Sequence, residues 1–325
     1  MCTAVSYNNS LFGRTFDYHK SYGERIIITP RDYYQIGETK NRYAMIGVGV
    51  LAGDEPLYFD GMNEWGLFCA ALNFSGFANY GKTEGKRAVI SSSHLIGFLL
   101  GLCRSVNEVR DVVANLGIST EGPGGGIKPT SLHWMVCDRR SCIVIEPLGE
   151  GLRVFDNPFG VLTNGPDFTF HTIRMADFLS LSPKNQKDKL TDGTVKPYSN
   201  GLGAFGLPGD FSSSSRFVRA AFVRKNLLSV SDFYRETSKQ PTSQIDDFFS
   251  LMSSVSLPFG LSFGEDDMPM QTIYTVCADP NGLNYYFTDF TCRRVRRVKF
   301  GEEHFSMKTI ALYQIYSSED VKALN

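Results

Sequence analysis

Cys2 is the residue whose type and position most directly suggest chemistry, because it follows Met1 at the start of the chain. Its side chain is small, so we expect a methionine aminopeptidase to remove Met1 and leave Cys2 as the N-terminal residue. The thiol is a nucleophile, and a free α-amino group, with a reference pKa of about 8, is able to act as its base. The alternative is that Cys2 is only the second residue of an ordinary cytosolic protein, and position alone favours that alternative.

Arg14 and Asp17 are the polar residues that the local sequence returns towards Cys2. Residues 3–7 are predicted to form a strand, and an Asn-Asn-Ser turn followed by residues 10–17 completes a hairpin. A guanidinium near a thiol lowers the pKa of that thiol, and a carboxylate is able to hold an ammonium group or orient an amine. From spacing alone, a surface ion pair at a turn is an equally good interpretation of Arg14 and Asp17.

The composition describes a chain that is able to bury a large core and carries almost no net charge. It has 325 residues, 42% of them hydrophobic, with a formal net charge of -1. The near-neutral charge argues against nucleic acid as the main partner. Because the N-terminal segment turns polar at once and no apolar run is long enough to span a bilayer, we expect no signal peptide, no membrane partner and a cytoplasmic location.

The cysteines and histidines give no sign of a metal site. The seven cysteines are odd in number and scattered among apolar residues, as expected of buried thiols in a reducing compartment. Cys137 and Cys142 bracket a predicted hairpin turn, but no second pair of ligands stands at zinc-binding spacing. The five histidines are dispersed and lack an HExxH-like spacing. We therefore expect no metal.

Alternating and apolar segments predict a mixed α and β fold with mainly antiparallel strands. Helices are predicted over residues 94–103, 105–116 and 244–253, and from Arg216 onwards with residues 212–215 as its cap. The first two helices are expected to cover one face of a sheet. Strands are predicted over residues 3–7, 26–31, 43–51, 68–74, 132–137, 142–146, 152–155, 271–278, 283–289 and 293–299.

Three irregular segments carry functional alternatives. Asn164 lies where a strand breaks at Gly165-Pro166, so its amide group is free to point into a site rather than into a sheet. Residues 121–129 are rich in glycine but lack the ending of a phosphate loop, so they form either a mobile lip over a pocket or, as we favour from sequence alone, an inert surface loop. Residues 182–206 are polar and form either a disordered loop or an arm that grips another subunit.

These residues coincide with the pattern of one family. The chain resembles the choloylglycine hydrolase family, which comprises bile salt hydrolases and penicillin V acylases among the N-terminal nucleophile hydrolases, and it is most similar to the bile salt hydrolase branch. The resemblance runs in order along nearly the whole chain. It rests on Met1-Cys2-Thr3, Phe12-Gly13-Arg14-Thr15-Phe16-Asp17, Asp60-Gly61-Met62-Asn63-Glu64, Leu72-Asn73-Phe74, Leu132-His133-Trp134-Met135, Gly160-Val161-Leu162-Thr163-Asn164-Gly165-Pro166, Leu207-Pro208-Gly209-Asp210-Phe211 and Ser215-Arg216-Phe217.

The resemblance implies a fold and a set of roles. The fold is an α+β, four-layer αββα sandwich of two antiparallel sheets, formed by residues 1–325 as a single domain. Cys2 is the implied nucleophile, and its α-amine accepts and donates the proton. Arg14 tunes the thiolate and Asp17 binds the amine. Asn73 and Asn164 form the oxyanion hole, and Arg216 holds the network around the nucleophile.

The resemblance also implies a substrate class. Asn73 is typical of bile salt hydrolases, since penicillin V acylases of the family often carry tyrosine there. The expected pocket is apolar and suits a steroid, with Lys20 near its mouth. The expected substrate-binding residues are Tyr18, Lys20, Tyr22, Ala52, Phe59, Ile127 and Thr130.

The resulting hypothesis is a cytoplasmic bacterial amidase that releases glycine or taurine from conjugated bile acids without a metal or organic cofactor. The resemblance further implies a homotetramer, with residues 182–206 as the arm between subunits. The rivals on the same scaffold are a penicillin V acylase and an acyl-homoserine-lactone acylase. A non-catalytic binding protein is the rival from another class, and it requires that Met1 stays in place and blocks the amine.

Overall fold

The computed structural model describes residues 1–36, 39–122, 129–237, 243–264, 267–318 and 321, and in them eighteen strands and five α-helices. The strands are β1 Cys2–Tyr7, β2 Leu11–Tyr18, β3 Arg25–Thr29, β4 Gln35–Ile36, β5 Thr39–Lys40, β6 Met45–Ala52, β7 Glu55–Asn63, β8 Phe68–Asn73, β9 Ala88–Ser91, β10 Leu116–Ser119, β11 Leu132–Cys137, β12 Cys142–Pro147, β13 Leu152–Asp156, β14 Val161–Leu162, β15 Gln271–Asp279, β16 Asn284–Asp289, β17 Arg296–Lys299 and β18 Ala311–Gln314. The helices are α1 Leu95–Leu102, α2 Val106–Ala114, α3 Phe168–Arg174, α4 Ser213–Thr237 and α5 Gln244–Ser253.

The predicted N-terminal hairpin lies at the centre of the first sheet. This sheet has six strands in the order β14-β1-β2-β15-β16-β17, and every pairing in it is antiparallel. Asn8 and Asn9 turn the hairpin with φ angles of 54° and 49°, in the left-handed region that asparagine tolerates. The β1–β2 register then places Cys2 opposite Phe16 and Ala4 opposite Arg14. Arg14 and Asp17 are therefore carried back alongside Cys2.

The second sheet has eight strands in the order β13-β12-β11-β8-β7-β6-β3-β18, again antiparallel throughout. The predicted turn between Cys137 and Cys142 joins β11 to β12, and these two residues pair directly. The central strands of this eight-stranded sheet are buried on both faces, so their sequences are apolar runs rather than strict alternations of apolar and polar residues. Because an apolar run has no alternation, the sequence predicted these strands but not which face of the sheet each side chain occupies.

The two sheets face each other and carry helices on their outer sides. Phe12 of β2 and Phe68 of β8 stack with ring centroids 5.8 Å apart in the core between the sheets. Helices α1 and α2 pack outside the second sheet around the buried Trp134. Helices α4 and α5 pack against β1, β14, β2 and β15 outside the first sheet, where Phe217 and Phe248 are fully buried. The architecture is the expected αββα sandwich.

Helix boundaries show where local signals were incomplete. Helix α4 begins at Ser213, three residues before the predicted start, because the Ser212 hydroxyl accepts the Ser215 N–H at 3.3 Å and acts as the cap. Helix α2 ends at Ala114, since Leu116 starts a strand that pairs with β9. Most of the glycine-rich segment 121–129 lies outside the described residues. None of the helices among the described residues combines the length and the apolar composition that crossing a bilayer needs.

Gly13 provides a test of this packing, because the close approach of β2 and β15 leaves no room for a side chain there. A Cβ at Gly13 would lie 1.9 Å from the Val276 carbonyl oxygen and 2.9 Å from the Phe248 ring. We expect Gly13→Ala to lower the free energy of unfolding by about 3 kcal/mol, as measured by chemical denaturation. Gly209→Ala is the control, since a Cβ there meets nothing within 4 Å. Equal stability of the two variants would contradict the tight packing at Gly13.

Candidate active site

Cys2 begins β1 and is 5% exposed, and the side chain of Arg14 reaches it from the neighbouring strand. Arg14 Nη2 donates a hydrogen bond to Cys2 Sγ at 2.6 Å. The same guanidinium donates from Nη1 to the carbonyl oxygens of Ala71, at 2.7 Å, and Phe59, at 3.2 Å. These carbonyls belong to the second sheet, so both sheets fix the guanidinium. A cation held this close to sulfur stabilises the thiolate, which is the nucleophilic form.

Charges behind Arg14 compensate for its burial. Asp60 is fully buried 4.0 Å from Arg14 Nη1, and it accepts hydrogen bonds from Tyr274, at 2.8 Å, and from Tyr285. Burial by itself lowers the pKa of Arg14, but attraction to Cys2, Tyr274, Asp60 and Asp17 outweighs it, so the pKa is raised. Desolvation raises the pKa of Asp60, and the attraction of Arg14 opposes that rise. The guanidinium therefore stays charged in the core.

Asp17 holds the first residue of the chain through its main chain. The Met1 α-amine donates to the Asp17 carbonyl oxygen at 2.8 Å, and the Asp17 N–H donates to the Met1 carbonyl oxygen at 3.0 Å. The Asp17 carboxylate accepts from the hydroxyl groups of Thr272, at 2.6 Å, and Thr15, at 3.2 Å. Asp17 thus lies at the N-terminus, as the hairpin predicted, while its carboxylate is held by two threonines.

Asn164 is brought to Cys2 by the pairing of β14 with β1. Leu162 pairs with Ala4, and continuing this register by two residues brings Asn164 level with Cys2. Asn164 Oδ1 accepts the Cys2 N–H at 2.8 Å, and Asn164 Nδ2 donates to the Asn73 carbonyl oxygen at 2.8 Å. An amide group has two N–H donors, so this bond uses only one of them.

Arg216 binds the backbone around Cys2 from the first turn of α4. Its guanidinium is fully buried and donates to the Cys2 carbonyl oxygen, to Thr3 Oγ1 at 2.7 Å and to Asn164 Oδ1 at 2.7 Å. Nε donates to the Phe211 carbonyl oxygen at 2.9 Å. Burial lowers the pKa of Arg216, and attraction to Asp17 and Cys2 opposes this. Arg216 thereby joins Cys2 and Asn164 into one hydrogen-bonded unit.

Four aromatic rings form an apolar surface beside Arg14. Phe16 stacks on Phe59 with centroids 5.4 Å apart, Tyr18 stacks on Tyr22 at the same separation of 5.4 Å, and Tyr22 meets Phe59 edge-on at 6.0 Å. Arg14 lies over the Phe16 ring at 5.0 Å. Three of the predicted substrate-binding residues, Tyr18, Tyr22 and Phe59, are thus brought together. Phe16 is the fourth ring, and it was not among the predicted substrate-binding residues. Its position in the hairpin, opposite Cys2, is the one feature that could have indicated it.

The other predicted residues take separate positions. The exposed Asn73 ends β8, and its side-chain Oδ1 accepts the Ser75 N–H at 3.0 Å, while its carbonyl oxygen accepts from Asn164. Lys20 is exposed on the segment after β2, and Ala52 lies at the β6–β7 turn.

Two residues remain from the predicted pocket. The Thr130 carbonyl oxygen accepts from Ser92 Oγ at 2.7 Å and from the Tyr80 hydroxyl, which ties the segment before β11 to the start of the α1 region. Ile127 lies outside the described residues. Within the described part of the chain, no three His, Cys, Asp or Glu side chains converge as a group able to hold a metal ion.

Sequence reasoning missed the supporting polar residues. Asp60, Tyr274 and Tyr285 lie on three strands of two sheets, and only Asp60 stood in a quoted motif. Thr272, which holds the Asp17 carboxylate, gave no local signal. Asp60 lies within the mainly apolar stretch 57–62 of β7, and a carboxylate in such a stretch is the sequence feature that could have pointed to this support.

Comparison with known proteins agrees with this fold. The family model for linear amide C-N hydrolases of the choloylglycine hydrolase family matches residues 2–313. The bile salt hydrolase/transferase of Lactiplantibacillus plantarum is 37% identical over the full length of both chains. The crystal structure of the C2A mutant of conjugated bile acid hydrolase from Clostridium perfringens has a TM-score of 0.90 and 30% identity, with both chains fully covered.

A more distant structure shares the fold alone. The penicillin V acylase from Agrobacterium tumefaciens has a TM-score of 0.74 at 21% identity, covering 98% of this chain and 95% of that one. The fold is therefore that of the N-terminal nucleophile hydrolases. Within that class, the chain belongs to the choloylglycine hydrolase family of linear amide C-N hydrolases.

The contact between Arg14 and Cys2 leads to a prediction on thiol reactivity. Arg14→Lys keeps a positive charge near Asp60 but removes the forked donor that reaches Cys2 Sγ while holding two carbonyls. We expect alkylation of Cys2 by iodoacetamide at neutral pH to slow about tenfold, which is the effect of losing one charge-assisted hydrogen bond. Peptide mass spectrometry measures the rate. Cys142, a partly exposed free thiol, is the internal control, and equal slowing of both thiols would contradict the assignment.

Proposed function

We propose that this protein is a bile salt hydrolase, which cleaves the amide bond of glycine- or taurine-conjugated bile acids through an N-terminal cysteine. The observation that carries the proposal is the 2.6 Å hydrogen bond from Arg14 to Cys2 Sγ, at the end of a hairpin that also holds the first residue. The family membership and the printed functions of the full-length relatives support the same reaction.

Removal of Met1 is the step that activates the site. It converts the Cys2 amide nitrogen into an amine, which stays next to Sγ on the same residue and serves as the base. The Asp17 main-chain groups that now bind Met1 become available, and Asn164 Oδ1 is the acceptor already facing this nitrogen. Asp17 and Asn164 are therefore the residues that orient the amine.

Attack by Cys2 Sγ on the substrate carbonyl carbon forms the first tetrahedral intermediate. The thiol proton passes to the α-amine, and the carbonyl oxygen becomes negative and accepts hydrogen bonds from the second Asn164 Nδ2 hydrogen and from Asn73. The protonated amine then donates this proton to the leaving nitrogen, so glycine or taurine departs and a thioester remains. Water attacks the thioester while the amine takes a proton from it, and the protonated amine returns that proton to the departing sulfur, so the bile acid and the free thiol are released.

The aromatic surface supports a steroid as the acyl group. Phe16, Tyr18, Tyr22 and Phe59 form a cluster of rings next to Arg14, and a steroid requires broad apolar contact with few polar partners. We include Lys20, Ala52, Ile127 and Thr130 in the proposed pocket on the family resemblance alone. Penicillin V and acyl-homoserine lactones are the rival substrates for the same chemistry.

Acyl transfer is a second candidate activity. The relative from Lactiplantibacillus plantarum carries the name hydrolase/transferase, and a thioester reacts with an amine as well as with water. In this chain, transfer would join the bile acid carbonyl to an added amine and release the Cys2 thiol.

We further infer a single domain over residues 1–325, a cytoplasmic location and assembly as a homotetramer. The seven free cysteines support a reducing compartment. Residues 182–206 support assembly, because this segment exposes large apolar side chains that a folded monomer normally covers. Leu190, Tyr198 and Phe205 are 91%, 87% and 84% exposed. We assign this arm to contacts between subunits.

Turnover of bile salts tests the proposed function. We expect intact mass to show a chain that begins at Cys2, and amine release from glycocholate and taurocholate to be fast relative to penicillin V. Cys2→Ala should reduce release to background, and Asn164→Ala should lower kcat about 10²–10³-fold, because each removes a participant in the reaction. Cys142→Ala is the matched control and should retain wild-type turnover.

The substrate panel separates the alternatives. Preference for penicillin V would show that the protein is a penicillin V acylase. A retained Met1 with no turnover would favour the non-catalytic binding protein. Activity that persists in Cys2→Ala would refute the nucleophile. Adding a second amine and following new conjugates by mass spectrometry tests acyl transfer.

Assembly is tested by replacing exposed apolar residues of the arm. We expect the wild type to elute as a tetramer in size-exclusion chromatography with light scattering, and Leu190→Ser combined with Tyr198→Ser to shift the mass to smaller species. Val321→Ser, at an exposed apolar position outside the arm, is the control. A monomeric wild type would contradict the assigned role of the arm.

A further inference from the structure

His133 is a fully buried histidine that has no part in the reaction steps above. It lies on β11, and its Nδ1 is 3.0 Å from Glu146 Oε1 on the neighbouring strand β12. Its Nε2 is 2.9 Å from the carbonyl oxygen of Thr163, the residue before Asn164. Glu146 is also fully buried. The buried pair of His133 and Glu146 therefore contacts the main chain of the residue that precedes Asn164.

The hydrogen-bond partners fix how the ring is used. A carbonyl oxygen only accepts, so His133 Nε2 carries a proton and donates it to Thr163. On the other side Nδ1 faces Glu146, whose two carboxyl oxygens each accept the Phe168 N–H at 3.1 Å. Glu146 therefore joins His133 to the start of α3, and the segment from Thr163 to Phe168 is held at both ends by one pair.

The ring also contacts the segment that carries Asn73. His133 stacks on Phe74 with ring centroids 4.2 Å apart and an interplanar angle of 11°. Phe74 directly follows Asn73, whose carbonyl oxygen accepts from Asn164 Nδ2 at 2.8 Å. One imidazole therefore lies against both chain segments that supply the proposed oxyanion donors.

The main chain at Thr163 and Asn164 depends on side chains for its hydrogen bonds, because these residues follow the end of β14. Strand β14 ends at Leu162, so Thr163 and Asn164 lie beyond the ladder. Ser213 Oγ accepts the Asn164 N–H at 2.9 Å, and His171 Nε2 lies 2.9 Å from the Asn164 carbonyl oxygen. The polar groups of this turn are thus bound by side chains from other elements.

We propose that His133 and Glu146 are positioning residues that hold Asn164 at the distance oxyanion stabilisation requires. This inference rests on the proposed function, since it takes Asn164 as a donor to the developing oxyanion. The pair acts through the Thr163 carbonyl and the Phe74 ring and does not touch the reacting atoms. A misplacement of about 1 Å in such a donor costs about 10²-fold in rate, so the pair has a measurable effect.

His133→Phe tests the proposal, because phenylalanine keeps the stack on Phe74 and loses both hydrogen bonds. We expect kcat with glycocholate to fall about 10–10²-fold with little change in KM, since ground-state binding of the steroid is untouched. Glu146→Gln keeps an acceptor for the ring and should retain most of the activity. Trp134→Phe is the matched control, because Trp134 is equally buried on the same strand but packs on the other face of the sheet.

A double-mutant cycle separates positioning from general destabilisation. If His133 acts through Asn164, His133→Phe adds no further loss of kcat in an Asn164→Ala background. Losses that multiply in the double variant would overturn the proposal. Thermal melts check that each variant is folded. If His133→Phe does not fold, Glu146→Leu replaces it in the double-mutant cycle with Asn164→Ala.

A crystal structure of the His133→Phe variant decides the question independently of substrate. Loss of the bond between Asn164 Nδ2 and the Asn73 carbonyl oxygen supports the positioning role, and an unmoved Asn164 side chain overturns it. If the wild type releases no amine from any bile salt, the proposed function fails, while this structural result still stands or falls by itself.

Discussion

The charged guanidinium of Arg14, buried between two sheets, is the constraint around which the site is built. Removing a cation from water costs several kcal/mol unless charges and acceptors replace the lost hydration. Here the Cys2 sulfur, the carbonyl oxygens of Phe59 and Ala71, and the Asp60 carboxylate provide that replacement. Because Phe59 and Ala71 belong to the second sheet while Arg14 and Cys2 belong to the first, the hydrogen bonds that stabilise the cation also fix the distance between the sheets at Cys2.

A second buried guanidinium, Arg216, makes the complementary connection to the helical layer. It enters from α4 and binds the Cys2 carbonyl oxygen and Asn164 Oδ1, so Cys2 is held from its side chain by one arginine and from its backbone by another. Burial lowers the pKa of both arginines, but the net shifts are opposite: attraction to its neighbours raises the pKa of Arg14, while desolvation dominates at Arg216 and lowers its pKa. The site therefore concentrates positive charge around the Cys2 sulfur, at a point where solvent does not screen it.

Local sequence signals predicted the parts of this arrangement that depend on neighbouring residues. The Asn-Asn turn and the strands on either side of it were sufficient to place Arg14 and Asp17 beside Cys2, and the register of the hairpin then places Phe16 opposite Cys2.

Contacts between distant segments were not predictable in this way. Asp17 binds the N-terminus through its main chain, while Thr15 and Thr272 occupy its carboxylate. The contact with Thr272 was not predictable, because Thr272 lies 255 residues away in the sequence. The roles of Asn73, Asn164 and Arg216 came from the family resemblance, because spacing along the chain carries no information on pairing between β1 and β14. The start of α4 was misplaced because four consecutive serines offer four possible caps.

The division between strands and connecting segments separates the chemistry from its specificity. Cys2 and Arg14 are almost fully buried on paired strands, where a shift of one residue would reverse the facing of every side chain. By contrast, the proposed acyl-binding residues Tyr22, Lys20 and Thr130 lie on exposed segments after or before strands. Such segments tolerate substitution without loss of the core. A penicillin V acylase shares the architecture at 21% identity, so this fold is kept across large changes in sequence. In the proposed function, the aromatic surface therefore determines the substrate, whereas the hairpin determines the reaction.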